Sequence, residues 1–389
     1  MERRHFGDCN NLTSIIVSKN NSKYKSIDNC LLTNDGKELI LCRSHNIPDS
    51  VTHIRRGAFA GWTSLQSISF PDSVTEIGTG TFHGCTSLQS IIIPDSVTTI
   101  NDSAFEGCTN LESIEIPDSV TEIGKAAFRN CDNLSSITVS KNNSKYKSID
   151  NCLLTNDGKE LILCRNHNIP KSVTCIRGGA FSGWTKFQSI VIPYGITEIG
   201  FAAFSGCARL QSIIIPDSVT KIGHSAFSGC TNLQSIVIPN SVTDIGGGVF
   251  SGCTKLQSII IPDSITKIEN QAFKDCTGLQ SIVIPDSATV IGDGAFKGCS
   301  SLQSIVIPDS VKYISDDVFY GCTSLQSITI TTQEKEPGLS RERIECILKI
   351  LSEYSKEFSL KVPIGRGYAY RHHPAFEGKF KNIIADIDA

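Results

Sequence analysis

No apolar run in this 389-residue chain approaches the roughly 18 residues that a membrane-spanning helix requires, so a helical membrane span is excluded. The opening Met1-Glu-Arg-Arg-His-Phe-Gly-Asp-Cys9 carries two arginines but no apolar stretch behind them, and therefore does not read as a secretion leader. Charge of one sign is also missing. The 36 Lys and Arg residues against 39 Asp and Glu leave a net charge of −3 with no basic block, which sets aside the electrostatic footprint of a nucleic-acid or anionic-membrane binder. Neither G-x-S-x-G nor a P-loop is present, nor any paired Cys/His nucleophile, so no catalytic residue and no enzymatic activity is expected. Of the eight histidines only His372 and His373 are adjacent, and adjacent residues do not converge on a metal as an i,i+4 pair does. No metal site and no cofactor is expected.

What the chain does contain is a repeat. Proline recurs at Pro48, Pro71, Pro94 and Pro117, then at Pro170, Pro193, Pro216, Pro239, Pro262, Pro285 and Pro308. Every step is 23 residues except the one from Pro117 to Pro170, which is 53, or 23 plus 30. A fixed period of this size marks a solenoid, in which each unit buries its apolar positions only against its neighbours.

One unit shows the division of labour. In Leu210-Gln-Ser-Ile-Ile-Ile-Pro216 the residues at 210, 213 and 215 follow the L-x-x-L-x-L pattern of a strand, and successive strands are expected to form a parallel sheet. Pro216-Asp217-Ser218 ends the strand, because proline has no N–H to donate and Asp and Ser favour turns. Val219, Ile222, Ala226 and Phe227 supply the apolar contacts of the return arm. Phe recurs without exception from Phe59 to Phe319, which predicts an aromatic spine to the core. The position held by Gly223 is Gly in six units but Arg, Asn, Glu or Ser in others, so no strict need for positive φ is read there.

The 30 extra residues belong to a variant unit present twice, since Val17 to Arg43 is identical to Val139 to Arg165. Inside it, Asn34-Asp-Gly-Lys37 sits between two strand-like runs, and an Asp-Gly pair in that setting predicts a β-hairpin. Phe6-Gly-Asp-Cys9 followed by Leu12 matches the spacing of Phe105-Glu-Gly-Cys108 followed by Leu111. The chain thus opens within a repeat, and the natural protein is expected to begin further upstream. After Ile330 the period fails. Ser340 to Tyr354 places Ile344, Ile347, Leu348, Leu351 and Tyr354 on one helical face.

The unit I-x-I-P-D-S-V-T-x-I-G-x-x-A-F-x-G-C-x-x-L-x-S resembles the BspA-like (treponemal-type) leucine-rich repeat family across residues 6 to 330. Tyr24-Lys-Ser-Ile-Asp-Asn-Cys-Leu-Leu-Thr-Asn-Asp-Gly-Lys-Glu-Leu-Ile is similar to that family's hairpin-bearing units, and Tyr370-Arg-His-His-Pro-Ala-Phe376 to its closing segment. The expected fold is an α/β solenoid, a leucine-rich repeat horseshoe of 23-residue units with a parallel concave β-sheet, two β-hairpin insertions and an α-containing C-terminal cap. Residues 1–331 form the expected solenoid, with variant hairpin units near 18–47 and 140–169, and residues 332–389 the cap. The resemblance implies a bacterial surface or secreted protein that adheres to host matrix or to other cells, with a protein partner.

The sixteen cysteines suggest a disulfide framework at first. Nine occupy the repeat position, at Cys85, Cys108, Cys131, Cys207, Cys230, Cys253, Cys276, Cys299 and Cys322. Equivalent residues on neighbouring strands lie about 4.8 Å apart with parallel side chains, whereas a disulfide needs Cβ atoms roughly 3.5–4.5 Å apart and converging. Trp62 and Trp184 also take this position, so these thiols are expected to be reduced packing residues. Cys30 and Cys42, and likewise Cys152 and Cys164, would face each other across a three-residue hairpin loop; whether they are bridged stays open. The aspartate file (Asp49, Asp72, Asp95, Asp118, Asp217, Asp263, Asp286, Asp309) suggests calcium, yet Lys171, Tyr194 and Asn240 interrupt it, and a local Asx cap is the expected use.

The remaining strand positions point outward. Gln211 and Gln234 belong to one such file, Ser212 and Ser235 to a second, and the third is aliphatic without interruption at Val191, Ile214, Val237, Ile260, Val283 and Val306. Contiguous exposed apolar surface marks a contact site, while β-branched residues also favour strand geometry in their own right. Both readings stand at this level. Few aromatics lie on this face, which favours a protein partner over a stacked sugar. The function expected is therefore non-enzymatic protein–protein interaction, with self-assembly or glycan binding as alternatives.

Overall fold

The computed structural model describes residues 12–330 and the strands Ser359–Val362 and Asn382–Ala385. The half-repeat at the start, the helix expected at 341–354 and His372-His373 lie outside the described residues. The chain divides into two compact units, residues 1–185 and 186–389.

Each plain coil of both units is held to the next by three ladders. In the second unit the L-x-x-L-x-L segments pair in parallel, Ser189–Val191 with Ser212–Ile214 and Ser304–Ile307 with Ser327–Ile330. Between them, single bridges join Ile214 to Val237, Val237 to Ile260, Ile260 to Val283 and Val283 to Val306. Ser327–Ile330 pairs onward with Ser359–Val362, and that strand with Asn382–Ala385, both in parallel. A second ladder is made of two-residue strands such as Glu198–Ile199, Lys221–Ile222 and Asp244–Ile245. The third runs through the return arm, where Phe227 N–H donates to the Val249 carbonyl and Phe250 N–H to the Ala272 carbonyl, both at 2.9 Å.

Among the described residues there is no helix, the one expected in the C-terminal cap lying outside them, and the coils form a β-solenoid. The physical reason lies in the backbone of the return arm. Ser225 (φ 55°) and Gly229 (φ 72°) flank Phe227 in the left-handed region, and the equivalents two residues before and after each Phe repeat this. A right-handed helix cannot pass through such residues, so the arm is a chain of i to i+3 turns, among them Ala226 N–H to Gly223 O and Cys230 N–H to Phe227 O. Glycine at 229 suits this position. At Gly246 the requirement is different: φ is not positive, but a Cβ would lie 2.2 Å from the His224 amide nitrogen.

Between the ladders sits the core. Phe204, Phe227, Phe250, Phe273, Phe296 and Phe319 stack with centroids 5.5–5.7 Å apart, and Phe59, Phe82, Phe105 and Phe128 stack at 5.1–5.4 Å in the first unit. The nine repeat cysteines are buried and unbridged. They are more than small apolar fillers, because thiols such as Cys85 and Cys253 donate to the carbonyl of the Phe 26 residues earlier, at 3.2 Å. Burial pushes the Cys85, Cys131 and Cys253 thiols up from the ordinary value of 9.0 to about 12.

The duplicated block forms three antiparallel strands in the first unit: β1 (Tyr24–Ile27), β2 (Cys30–Thr33) and β3 (Glu38–Cys42). The second copy is built alike from Tyr146–Ile149, Cys152–Thr155 and Glu160–Cys164. Cys30–Cys42 and Cys152–Cys164 are disulfides, each with Cα atoms 4.0 Å apart. A three-residue loop is not how they meet. The loop between β2 and β3 holds the four residues Asn34 to Lys37, and a bulge then shifts the register from Leu32↔Leu39 to Leu31↔Leu41, which brings Cys30 opposite Cys42. Cys42 N–H is turned to the Ala58 carbonyl, leaving Cys30 and Cys42 as a non-hydrogen-bonded pair, where antiparallel strands come closest.

Beside each disulfide is a buried arginine. Arg43 donates to the Cys42 and Ala60 carbonyls and lies over the Trp62 ring at 5.8 Å. Arg165 donates to the carbonyls of Cys131, Cys164, Ala180 and Ser182. Fanned donors suit this position, because the inserted block leaves several carbonyls of the neighbouring coils facing one point.

Candidate interaction surface

The spacing of three between Leu233 and Ile236 leaves two residues that both face solvent, so Gln234 and Ser235 are exposed together. Strict alternation then resumes, with Ile236 buried, Val237 exposed and Ile238 buried. The same holds in the neighbouring coils, and Gln211, Ser212, Gln257 and Ser258 are all exposed. No side-chain hydrogen bond engages these glutamines among the described residues. Their backbones form the ladder instead, as in Gln234 N–H to Gln211 O at 3.2 Å.

Val191, Ile214, Val237, Ile260, Val283 and Val306 lie in one line of bridged partners, with between 44% and 78% of each residue exposed. In register the line continues to Thr329, Lys361 and Ile384. The first unit differs: its equivalents include Ile16, Ser69, Ile92, Glu115 and Thr138, so exposed Ile16 and Ile92 form no continuous stripe.

The two margins of the stripe carry opposite charge. Just before the strands stand Lys186, Arg209 and Lys255, and just after the prolines stand Asp217, Asp263 and Asp286; all six are exposed and none takes part in an ion pair among the described residues. The Asx cap expected for these three aspartates is absent. The adjacent serine does the local work, with Ser218, Ser264 and Ser287 hydroxyls donating to carbonyls of the preceding coil. Asp118 is engaged across coils instead, since its carboxylate accepts from Asn142 and hydrogen bonding from Ser140 and Asn142 holds its pKa below the ordinary carboxylate value.

On the cationic margin an open depression of about 320 Å³ is lined by residues that include Thr254, Lys255, Gln257, Gly278, Gln280 and Ser301. A Cβ at 278 would lie 2.4 Å from the Thr254 carbonyl oxygen. Neither the paired margins nor this notch was picked out from the repeat, because both depend on the few positions where the units differ.

Parallel coils, a Phe spine and a serine-tied proline turn define a leucine-rich repeat scaffold. A family profile for the BspA type leucine-rich repeat region matches in six copies over residues 38–156, 161–280 and 266–338, and the chain belongs to that family. It is similar to a leucine-rich cell surface protein of Faecalibacterium prausnitzii, at 34% identity over 77% of this chain and 67% of that one, with a TM-score of 0.50. Two further structures share the fold. A leucine-rich repeat protein of Eubacterium ventriosum is 24% identical over 71% of this chain and 92% of that one, TM-score 0.50. The pneumococcal vaccine antigen PcpA is 18% identical over 94% and 88%, TM-score 0.54. No curated protein matches the chain.

Proposed function

We propose that this chain is a non-enzymatic protein-interaction module that acts at a bacterial cell surface in adhesion to host matrix or other cells, and that the stripe from Val191 to Val306 is the centre of its contact. The observation that carries the reading is the stripe itself: six aliphatic side chains, bridged in one line and all exposed. Apolar surface this contiguous costs solubility unless a partner covers it, and the strand geometry it favours is met equally well by the Ser, Glu and Thr of the first unit. Gln211, Gln234, Ser212 and Ser235 form its polar flank. Two disulfides suit an oxidising compartment, in keeping with the surface location named for the Faecalibacterium relative.

The test is binding of the chain to immobilised matrix proteins and to intact cells. The triple variant Ile214→Lys, Val237→Lys, Ile260→Lys should lose that binding while keeping its circular dichroism and melting temperature. A control triple, Thr220→Lys, Thr243→Lys, Thr266→Lys, places the same charge on exposed positions elsewhere on the same coils and should bind normally. Unchanged binding by the stripe variant would remove the site.

A further inference from the structure

We propose that the occupant of the stripe is an amphipathic α-helix of a protein partner, lying along the line from Val191 to Val306, with acidic residues on the flank facing Lys186, Arg209 and Lys255 and basic residues on the flank facing Asp217, Asp263 and Asp286. The inference rests on the stripe being a contact surface, and it names what fits there.

Spacing is the first argument. Neighbouring strands are about 4.8 Å apart, so the five steps from Val191 to Val306 span roughly 24 Å. The apolar seam of a helix offers one side chain every 3.5 residues at 1.5 Å rise, or about 5.3 Å, and five steps cover about 26 Å. An extended strand laid along the same line offers one same-face side chain every 6.7 Å or so, and five steps cover about 33 Å. The helix drifts by less than half a coil over the whole stripe; the strand drifts by nearly two. About 18 residues of helix cover the line.

Charge is the second. Lys186, Arg209 and Lys255 on one margin and Asp217, Asp263 and Asp286 on the other are exposed and take part in no ion pair among the described residues. A helix with one acidic and one basic flank satisfies both margins at once. The depression adds a specific seat: Lys255, Gln257 and Gln280 line it, and their side chains carry donors that suit a partner carboxylate.

A second copy of this chain matches the spacing by construction but fits less well. A two-fold axis along the stripe sets each β-branched residue against itself, ridge on ridge. A two-fold axis along the strands lays the margin of Lys186, Arg209 and Lys255 on the same margin of the other copy, where Ser301, Gly278 and Asn232 offer them no acidic partner.

The experiment uses fluorescence anisotropy with three labelled peptides of about 20 residues, a length set by the helix rise. One is a helix former with leucine at its a and d positions and separate Glu and Lys flanks. The second has the same composition with the leucines scrambled, and the third alternates valine and lysine as a strand. The first should bind at least tenfold more tightly than the others. Val237→Lys with Ile260→Lys should weaken it at least tenfold, and Lys255→Glu at least threefold at low salt, with folding checked by circular dichroism.

Equal binding of all three peptides, or tighter binding of the strand peptide, overturns the helix. A reversible dimer in sedimentation that the Val237→Lys, Ile260→Lys variant abolishes, with no peptide binding, overturns it in favour of a second copy. If the stripe variant loses cell or matrix binding while the helix peptide never binds, the contact surface stands and only the helical occupant falls.

Discussion

The Cys253 thiol donates to the carbonyl oxygen of Phe227 at 3.2 Å, one coil back, in the interior of the second unit. This contact joins the cysteine file to the aromatic spine, since Phe227 also stacks on Phe250 at 5.7 Å. Burial at this place keeps the thiol protonated, and that makes stability depend on alkaline pH.

The Cys253 pKa rises from 9.0 to about 12 on folding, first because burial disfavours the thiolate. A pKa raised in the folded state contributes stability that is complete below the unfolded value and is lost as pH climbs through the folded one. Urea midpoints should therefore fall between pH 9 and pH 12, with Cys85 and Cys131 acting in the same direction. Cys253→Ala should reduce that slope by up to about 1.4 kcal/mol per pH unit. A wild-type slope in the variant would refute the linkage.

Removing one ring from the spine should be costly. Phe250 is fully buried between Phe227 and Phe273, at 5.7 and 5.5 Å. Phe250→Ala is expected to lose about 3–5 kcal/mol in urea denaturation, whereas Phe250→Leu should lose clearly less, because it leaves a smaller cavity.

Four cysteines should titrate only after reduction. Each disulfide closes a sequence separation of 12, for which chain entropy implies about 2–3 kcal/mol. Denatured, unreduced protein should show four fewer reactive thiols than reduced protein. Dithiothreitol should lower the melting temperature of the wild type and leave the quadruple variant Cys30→Ala, Cys42→Ala, Cys152→Ala, Cys164→Ala unmoved.

The proline turn should depend on its serine and not on its aspartate. Ser287 donates to the Ile265 carbonyl at 2.6 Å, so Ser287→Ala should cost about 1 kcal/mol. Asp286 is exposed, and Asp286→Asn should stay within about 0.5 kcal/mol of wild type. Adding calcium should change neither melting curve; a calcium-dependent rise would restore the aspartates as ligands.

The 23-residue period was enough to assign Phe227, Cys230, Leu233 and Ile236 to the core and Gln234, Ser235 and Val237 to the surface, because in a stacked array every unit sees the same surroundings and only repetition has to be read. The aliphatic line from Val191 to Val306 was visible for the same reason. What repetition could not carry was settled by contacts between coils and by backbone φ. The left-handed residue at 225 is Ser there, Ala at 202 and Gln at 271, so no residue type announces it, yet it is what makes the return arm a chain of turns. The bulge that pairs Cys30 with Cys42 arises between strands and has no residue of its own to signal it. The burial of Arg43 and Arg165 is decided only when the inserted strands fold and leave carbonyls for them to meet. Local pattern determined which side chains go inside; the tertiary structure decided which backbone groups they satisfy there, because a buried carbonyl is paired by whatever donor the neighbouring coil brings within reach.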